Sequence, residues 1–366
     1  MHPVFRILGV LVGMWLIFAV IRSCCRVALV NVPSPDSLTG FLSRLTYRLM
    51  LPLLRRRTAY PERQRILAWF GPLFLLSSIG CYFAVTMAGF GLIYQAIRAE
   101  TTFFRSLVSS GSALSTLGFS TPATGRGEAV AIVEGAVGLG IVVFLITFVP
   151  GYQSAIQRRE EISARLYAHT GGEPSCEALL GGADKPEPAF WNAWEDFLRE
   201  LGDIHAESPI LVFTPSIRAG QSWVVSVFAV LDAANFTGTM MEGGIKRSSG
   251  ICLREGILSL RRMAAALRME QSAAQPASLS PGDFDALCSR LEAGGLSIQS
   301  GREAARLAFE ANRAQYEPIL RFLAETLFVP LSPSLTRLTR SPNPPEAENA
   351  ISEARTPARR GRTAPR

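Results

Sequence analysis

Between Arg65 and Arg98 lie 32 consecutive residues with no charged side chain, and PLFLLSSIGCYFAVTMAGFGLIY stands within them. A helix crossing hydrocarbon needs about 20 apolar residues. The stretch is therefore a membrane span with length left over for tilt. Two more apolar stretches flank it. Ile7–Ile21 is uninterrupted, and Val27–Val30 extends it past Arg22, Cys24 and Arg26. Basic residues follow this run instead of preceding it, and no small-residue cleavage site stands after it. It reads as a retained anchor rather than a signal peptide. The third stretch, Ala129–Phe148, has Glu134 as its only charge. Neither Pro150 nor Gly151 favours straight continuation, yet a polar helical pattern resumes over Tyr152–Tyr167.

Composition agrees with a chain partly in lipid. Only 18% of the 366 residues are charged and the mean hydropathy is +0.22, whereas a soluble domain carries about a quarter charged residues. A wholly soluble enzyme and a wholly disordered chain are both excluded. The net charge of +7 rests on arginine, since Lys185 and Lys246 are the only lysines. Such Ala/Gly/Arg-rich usage fits a GC-rich bacterial genome. No zinc spacing or aromatic-interleaved basic motif points to nucleic acid. Arginines gather instead beside apolar segments: Arg44, Arg48, Arg55, Arg56, Arg57, Arg63 and Arg65 face only Asp36 and Glu62 across residues 31–65. Basic loops of this length stay cytoplasmic. The expected topology puts the N-terminus outside, and Arg158, Arg159 and all that follows inside, in a bacterial inner (plasma) membrane.

The loop between the second and third spans is the most informative stretch. Thr102–Ser115 has the pattern of an amphipathic helix about 20 Å long at 1.5 Å per residue, too short to span and suited to a re-entrant position. Thr116-Leu117-Gly118-Phe119-Ser120-Thr121 follows, then Pro122. Span, re-entrant helix, extended Thr-x-Gly-aromatic segment and span are the layout of a channel pore. Over residues 66–165 the chain resembles the bacterial two-transmembrane, single-pore-loop ion channels of the potassium-channel superfamily, with TLGFS where that family writes TVGYG.

The resemblance implies a filter of backbone carbonyls at Thr116, Leu117, Gly118, Phe119 and Ser120, which replace an ion's water shell. It implies a Thr116 hydroxyl at the inner mouth and a Phe119 ring packed against the short helix. It also implies an inner-helix glycine as gating hinge. Ser120 departs from the pattern, which has glycine there; a positive backbone angle would strain it. Ion selectivity is the property this departure bears on. Glu134, an acid at membrane depth, asks for a function: hydrogen bonding behind the filter, lining a water-filled path, or snorkelling outward. Gly135, Gly138 and Gly140 allow either a hinge or close helix packing. One chain supplies one pore loop, so a pore requires a homotetramer.

The expected fold is an all-α membrane protein: an N-terminal transmembrane helix (1–30), a basic cytoplasmic linker (31–65), a potassium-channel-like pore domain (66–151), a helical cytosolic domain (152–330) and a disordered basic tail (331–366). In the cytosolic part Phe190, Trp191, Trp194, Phe197, Leu198 and Leu201 form one helical face. GQSWVVSVFAVLDAANF reads as a core helix whose Asp232 and Asn235 need partners. Residues 256–269 and 302–328 read as amphipathic helices, and GGIKRSSG at 243–250 as a plain loop without the phosphate-loop pattern. The six cysteines show no ordered spacing and read as reduced thiols. His169 and His205 lack metal-ligand spacing, and no nucleophile–base pair is present. The tail, with seven Arg and three Glu, suits attraction to anionic lipid or plain solvation.

The leading expectation is a cation channel conducting potassium passively, not an enzyme, with no cofactor besides permeating K+ or Na+. Its expected partners are its own copies and membrane lipids, with the cytosolic ligand unknown. The alternatives are a non-selective channel on the same fold, and a membrane-anchored sensor or scaffold whose helical domain is the working part.

Overall fold

A computed structural model describes residues 3–29, 37–182, 184–207, 209–241, 244–267, 269, 281–298 and 301–331. Every regular element among them is a helix. In chain order these are α1 (Pro3–Leu29), α2 (Ser37–Arg55), α3 (Tyr60–Leu67), α4 (Phe70–Ala96), α5 (Phe103–Leu114), α6 (Gly125–His169) and α7 (Cys176–Leu180). Then come α8 (Pro188–Glu207), α9 (Pro209–Phe213), α10 (Trp223–Met240), α11 (Gly244–Ala266), α12 (Pro281–Ala293), α13 (Arg302–Arg313) and α14 (Glu317–Thr326). The basic tail expected over 331–366 lies, after Leu331, outside the described residues.

Two compact units divide the chain: Met1–Glu161 with Asp203–Gly220, and Ile162–Gly202 with Gln221–Arg366. The division therefore departs from a single boundary at 151/152. A segment from the second half, 203–220, belongs with the apolar helices of the first unit.

In the first unit α1 and α4 run antiparallel. Arg6 Nε donates to the Ala96 carbonyl at 2.7 Å near one end, and the Ser23 and Tyr82 hydroxyls meet at 3.0 Å near the other. Glycine makes the middle of this contact possible. A Cβ on Gly13 would stand 2.5 Å from the Gly89 carbonyl oxygen, and one on Gly89 would stand 2.9 Å from that of Gly13. In hydrocarbon, where apolar burial drives no association, such close backbone approach is what holds helices together. Outward-facing Phe5, Leu8, Leu11, Trp15 and Phe18 are exposed, as a lipid-facing surface requires.

The stretch drawn as a linker is, where it is described, two helices, α2 and α3, joined by a turn at 56–59. Its arginines hide an apolar period: Leu42, Met50 and Leu54 are buried, while Phe41, Leu45, Leu49 and Leu53 recur every fourth residue on an exposed stripe beside exposed Arg44 and Arg48. Buried, apolar and basic stripes side by side suit a helix lying at a membrane boundary. The third apolar stretch and the polar pattern after it are likewise one helix, the 45-residue α6, which carries Pro150 in its interior. Proline costs one backbone hydrogen bond there, a loss tolerated in membrane helices.

The second unit is built around α10. Four helices among the described residues are long and apolar enough to cross a membrane: α1, α3 with α4, α6 and α10. Of the α10 window, however, 89% is buried, against 11–33% in the others. Lipid has no face of α10 to touch, and it is a core helix. Its Asp232 and Asn235 have the partners the sequence calls for. Asp232 Oδ1 accepts from the Tyr316 hydroxyl at 2.7 Å and pairs with Arg313 Nε at 3.1 Å. Asn235 Nδ2 donates to the Phe309 carbonyl at 2.8 Å, and its Oδ1 accepts from Asn312 at 2.9 Å. Trp191, Trp194, Leu198 and Leu201 of α8 are buried together.

Two expectations are corrected here. Residues 244–250 are not a loop but the first turns of α11, in which the Ser248 and Ser249 hydroxyls bond back to the carbonyls of Ile245 and Lys246. Residues 302–328 are two helices, separated by a turn at Ala314–Tyr316 that swings Tyr316 to Asp232.

Candidate functional site

The short helix α5 starts at Thr102, whose hydroxyl accepts the Arg105 N–H at 3.2 Å. Its length is 12 residues. Serine governs its packing. Ser106, Ser109, Ser110 and Ser112 are all buried, and each hydroxyl has a partner. Ser106 donates to Gln95 Oε1 at 3.3 Å and Ser110 to the Met87 carbonyl at 3.1 Å, both on α4. Gly91 of α4 faces Leu107, and a Cβ there would lie 3.0 Å from Leu107 Cδ2.

Ser109 and Ser112 hold the segment that follows. The Ser112 carbonyl accepts the N–H groups of Leu117 at 3.0 Å and Gly118 at 3.3 Å. Its hydroxyl accepts the N–H of Ser120 at 2.9 Å. Thr116 N–H goes to the Ala113 carbonyl at 3.0 Å. The Ser120 hydroxyl lies 3.2 Å from that of Ser109, which donates to Glu100 Oε1 at 2.6 Å. Thr116 at φ +58° and Gly118 at φ +69° take left-handed backbone, and the residue between them does not. Alternation of this kind turns successive peptide groups in a way that an unbroken strand does not. N–H groups at 116, 117, 118 and 120 are thus directed to α5. Among the described residues nothing donates to the carbonyls of 116–120.

Two expectations change. Ser120 is not in the left-handed region, so no strain attaches to serine there. The Phe119 ring does not pack on the short helix of its own chain: Phe119 is 68% exposed and Leu117 70%.

Glu134 of α6 is fully buried. Its Oε2 accepts from the Tyr94 hydroxyl of α4 at 2.7 Å, and its Oε1 accepts a short hydrogen bond from Ser110 of α5. One carboxylate therefore joins α4, α5 and α6, and it does not snorkel outward. Neighbouring glycines receive the end of α5. A Cβ on Gly138 would collide with the Leu114 carbonyl, and one on Gly135 would lie 3.4 Å from the Ala113 oxygen. Gly140 has open space around its Cα. The three glycines thus differ: Gly138 is needed for packing, and Gly140 has no neighbour that demands it.

Sequence reading did not single out the serine ladder, Tyr94 or Glu100. Four serines within seven residues of one short helix were the available signal. Among the described residues no group of three or more His, Cys, Asp or Glu is placed to hold a metal ion, and all six cysteines are free. No protein-family model, curated protein or solved structure matches the chain.

Proposed function

We propose that this protein is a homotetrameric cation channel of the bacterial inner membrane, conducting potassium passively. In this reading Thr116–Ser120 form the filter, α6 lines and gates the pathway, and the second unit is cytoplasmic. The observation that carries it is the division of labour in residues 116–120: the N–H groups of Thr116, Leu117, Gly118 and Ser120 are taken up by α5, and the carbonyls are left over. A cation stripped of water requires such a set of oxygens. Further support comes from the direction of α5, whose C-terminal carbonyl end leads into this segment; the partial negative charge there favours a cation. Irregular backbone at membrane depth is tolerated where it lines a cavity. Glu134 gives the pore region a buried brace, and four copies around an axis would supply the closed ring of oxygens that one chain lacks.

The test is potassium flux from proteoliposomes of purified protein, with sodium-only vesicles and Gly118→Asp as controls. Potassium flux without sodium flux, abolished by Gly118→Asp, is the expected result. Equal flux of both ions would move the reading to a non-selective channel. A silent protein that is also not tetrameric would turn it to the sensor or scaffold.

A further inference from the structure

The first unit contains a piece of the second half of the chain, residues 209–220, and three side chains hold it by its backbone. Gln64 of α3 donates from Nε2 to the carbonyls of Ser216 at 2.5 Å and Arg218 at 2.8 Å, and its Oε1 accepts the Gly220 N–H at 3.0 Å. Arg159 of α6 is 1% exposed. It donates from Nη1 to the Leu211 carbonyl at 3.0 Å, and from Nη2 to those of Thr214 at 3.1 Å and Pro215 at 3.2 Å. Glu160, its neighbour, accepts the Ile217 N–H at 2.9 Å.

Side chains complete the attachment. The hydroxyls of Tyr152 and Thr214 meet at 2.7 Å. Phe213 lies between Tyr47 of α2 and Phe70 of α4, with ring centroids 5.3 and 5.5 Å away. Tyr152 in turn fills the space above Gly71 of α4, where a Cβ would strike its ring. Residues 209–220 therefore touch α2, α3, α4 and the last part of α6 that belongs to this unit. The chain on both sides, to Gly202 and from Gln221, belongs to the second unit.

We propose that residues 209–220 are a strap that fixes the foot of α6 to the feet of α3 and α4, with Gln64, Arg159 and Glu160 as the positioning residues. The physical reason is the number of backbone groups involved, of which the carbonyls of Leu211, Thr214, Pro215 and Ser216 bond within buried surroundings. Each carbonyl or N–H released without a new partner is costly, so the strap either stays seated on all three side chains or leaves as a unit. An element with two such discrete arrangements is what a gate needs. Because the strap is spliced between two stretches of the other unit, tension on either end reaches it through the backbone itself. Its consequence for conduction rests on the pore reading above: with α6 lining the axis and α4 outside it, the seated strap holds the α6 foot away from the axis.

The experiment compares full-length wild type with Gln64→Leu and Tyr152→Phe in lipid nanodiscs by amide hydrogen exchange, then in proteoliposomes by potassium flux. Gln64→Leu removes three bonds and is expected to speed exchange about tenfold or more both in 214–220 and in 150–160. Tyr152→Phe, which deletes a single hydroxyl, guards against simple misfolding and is expected to give a smaller rise in the same two places. Faster exchange in 214–220 with none in 150–160 would overturn the proposal, and so would unchanged exchange in both. In flux, Gln64→Leu is expected to lower the potassium rate at least fivefold with the potassium-to-sodium ratio kept. An unchanged rate would reduce the strap to a structural clip and overturn its role in gating. A wild type that passes no ion would tell against the pore reading alone, since the exchange result still decides the tie.

Discussion

Glu134 shows how much a single carboxylate can organise when it is buried at the meeting of three helices. Its two acceptor bonds, from Tyr94 and Ser110, leave it no charged neighbour to lean on, so the hydroxyls define its place. Removing it is expected to be worse than removing either donor. Glu134→Ala strands the Tyr94 hydroxyl, at about 1–3 kcal/mol, leaves Ser110 only the Met87 carbonyl and opens a cavity between three helices, whereas Tyr94→Phe leaves the carboxylate one donor; thermal melting of the full chain in detergent should rank them in that order. A second residue-scale expectation concerns Ser112. Ser112→Ala keeps its carbonyl and its bonds to Leu117 and Gly118 but deprives the Ser120 N–H of its acceptor. Flux in Ser112→Ala vesicles should lose discrimination between potassium and sodium before it loses rate. Retained discrimination would show that the outermost position is not set by this bond.

At the scale of elements, the amount legible in the sequence followed the kind of signal. Charge-free runs and the short amphipathic pattern over 102–115 located α1, α4, α5 and α10, because burial in lipid or in a core leaves its mark on composition. The helix α2 was read as a linker because its arginines dominate a local count, although Leu42, Met50 and Leu54 already had a helical period. Pro150 argues against a straight helix, yet the charged pattern after it already reads as a polar continuation of the inner helix, and α6 runs through both. Gln64 was illegible for a different reason: its partners lie up to 156 residues away, and no pattern near residue 64 announces them. The α1–α4 contact had an unread sign, the small residues Gly9 and Gly13 one turn apart. A bulky change there is a direct test. Gly13→Leu must push Leu side-chain atoms into the Gly89 carbonyl, and overpacking of this order costs about 1–3 kcal/mol. The expected outcome is a lower melting temperature and faster proteolysis between α1 and α4, while Gly80→Ala, where a Cβ meets open space, should be neutral.

For the whole molecule, two compact units each have their own polar interior. In the second unit Asp232 and Arg313 form a buried pair whose strength depends on both members. Asp232→Ala would leave Arg313 with Glu317, at 3.6 Å, and would strand the Tyr316 hydroxyl that donates to Asp232, a loss of about 1–3 kcal/mol. Scanning calorimetry of the full chain should show that unit melting early while transitions from the apolar helices persist; a single unshifted transition would contradict the division into two units. The first unit poses the opposite problem, since Leu117 and Phe119 stand outward from an irregular segment that their own chain does not cover. Under the proposed assembly these side chains are finished by neighbouring copies, which has a genetic meaning. A cell making equal amounts of normal chain and a Gly118→Asp chain would build about one all-normal tetramer in sixteen. The lesion would then behave as dominant, and the depth of that dominance would count the chains around the pore.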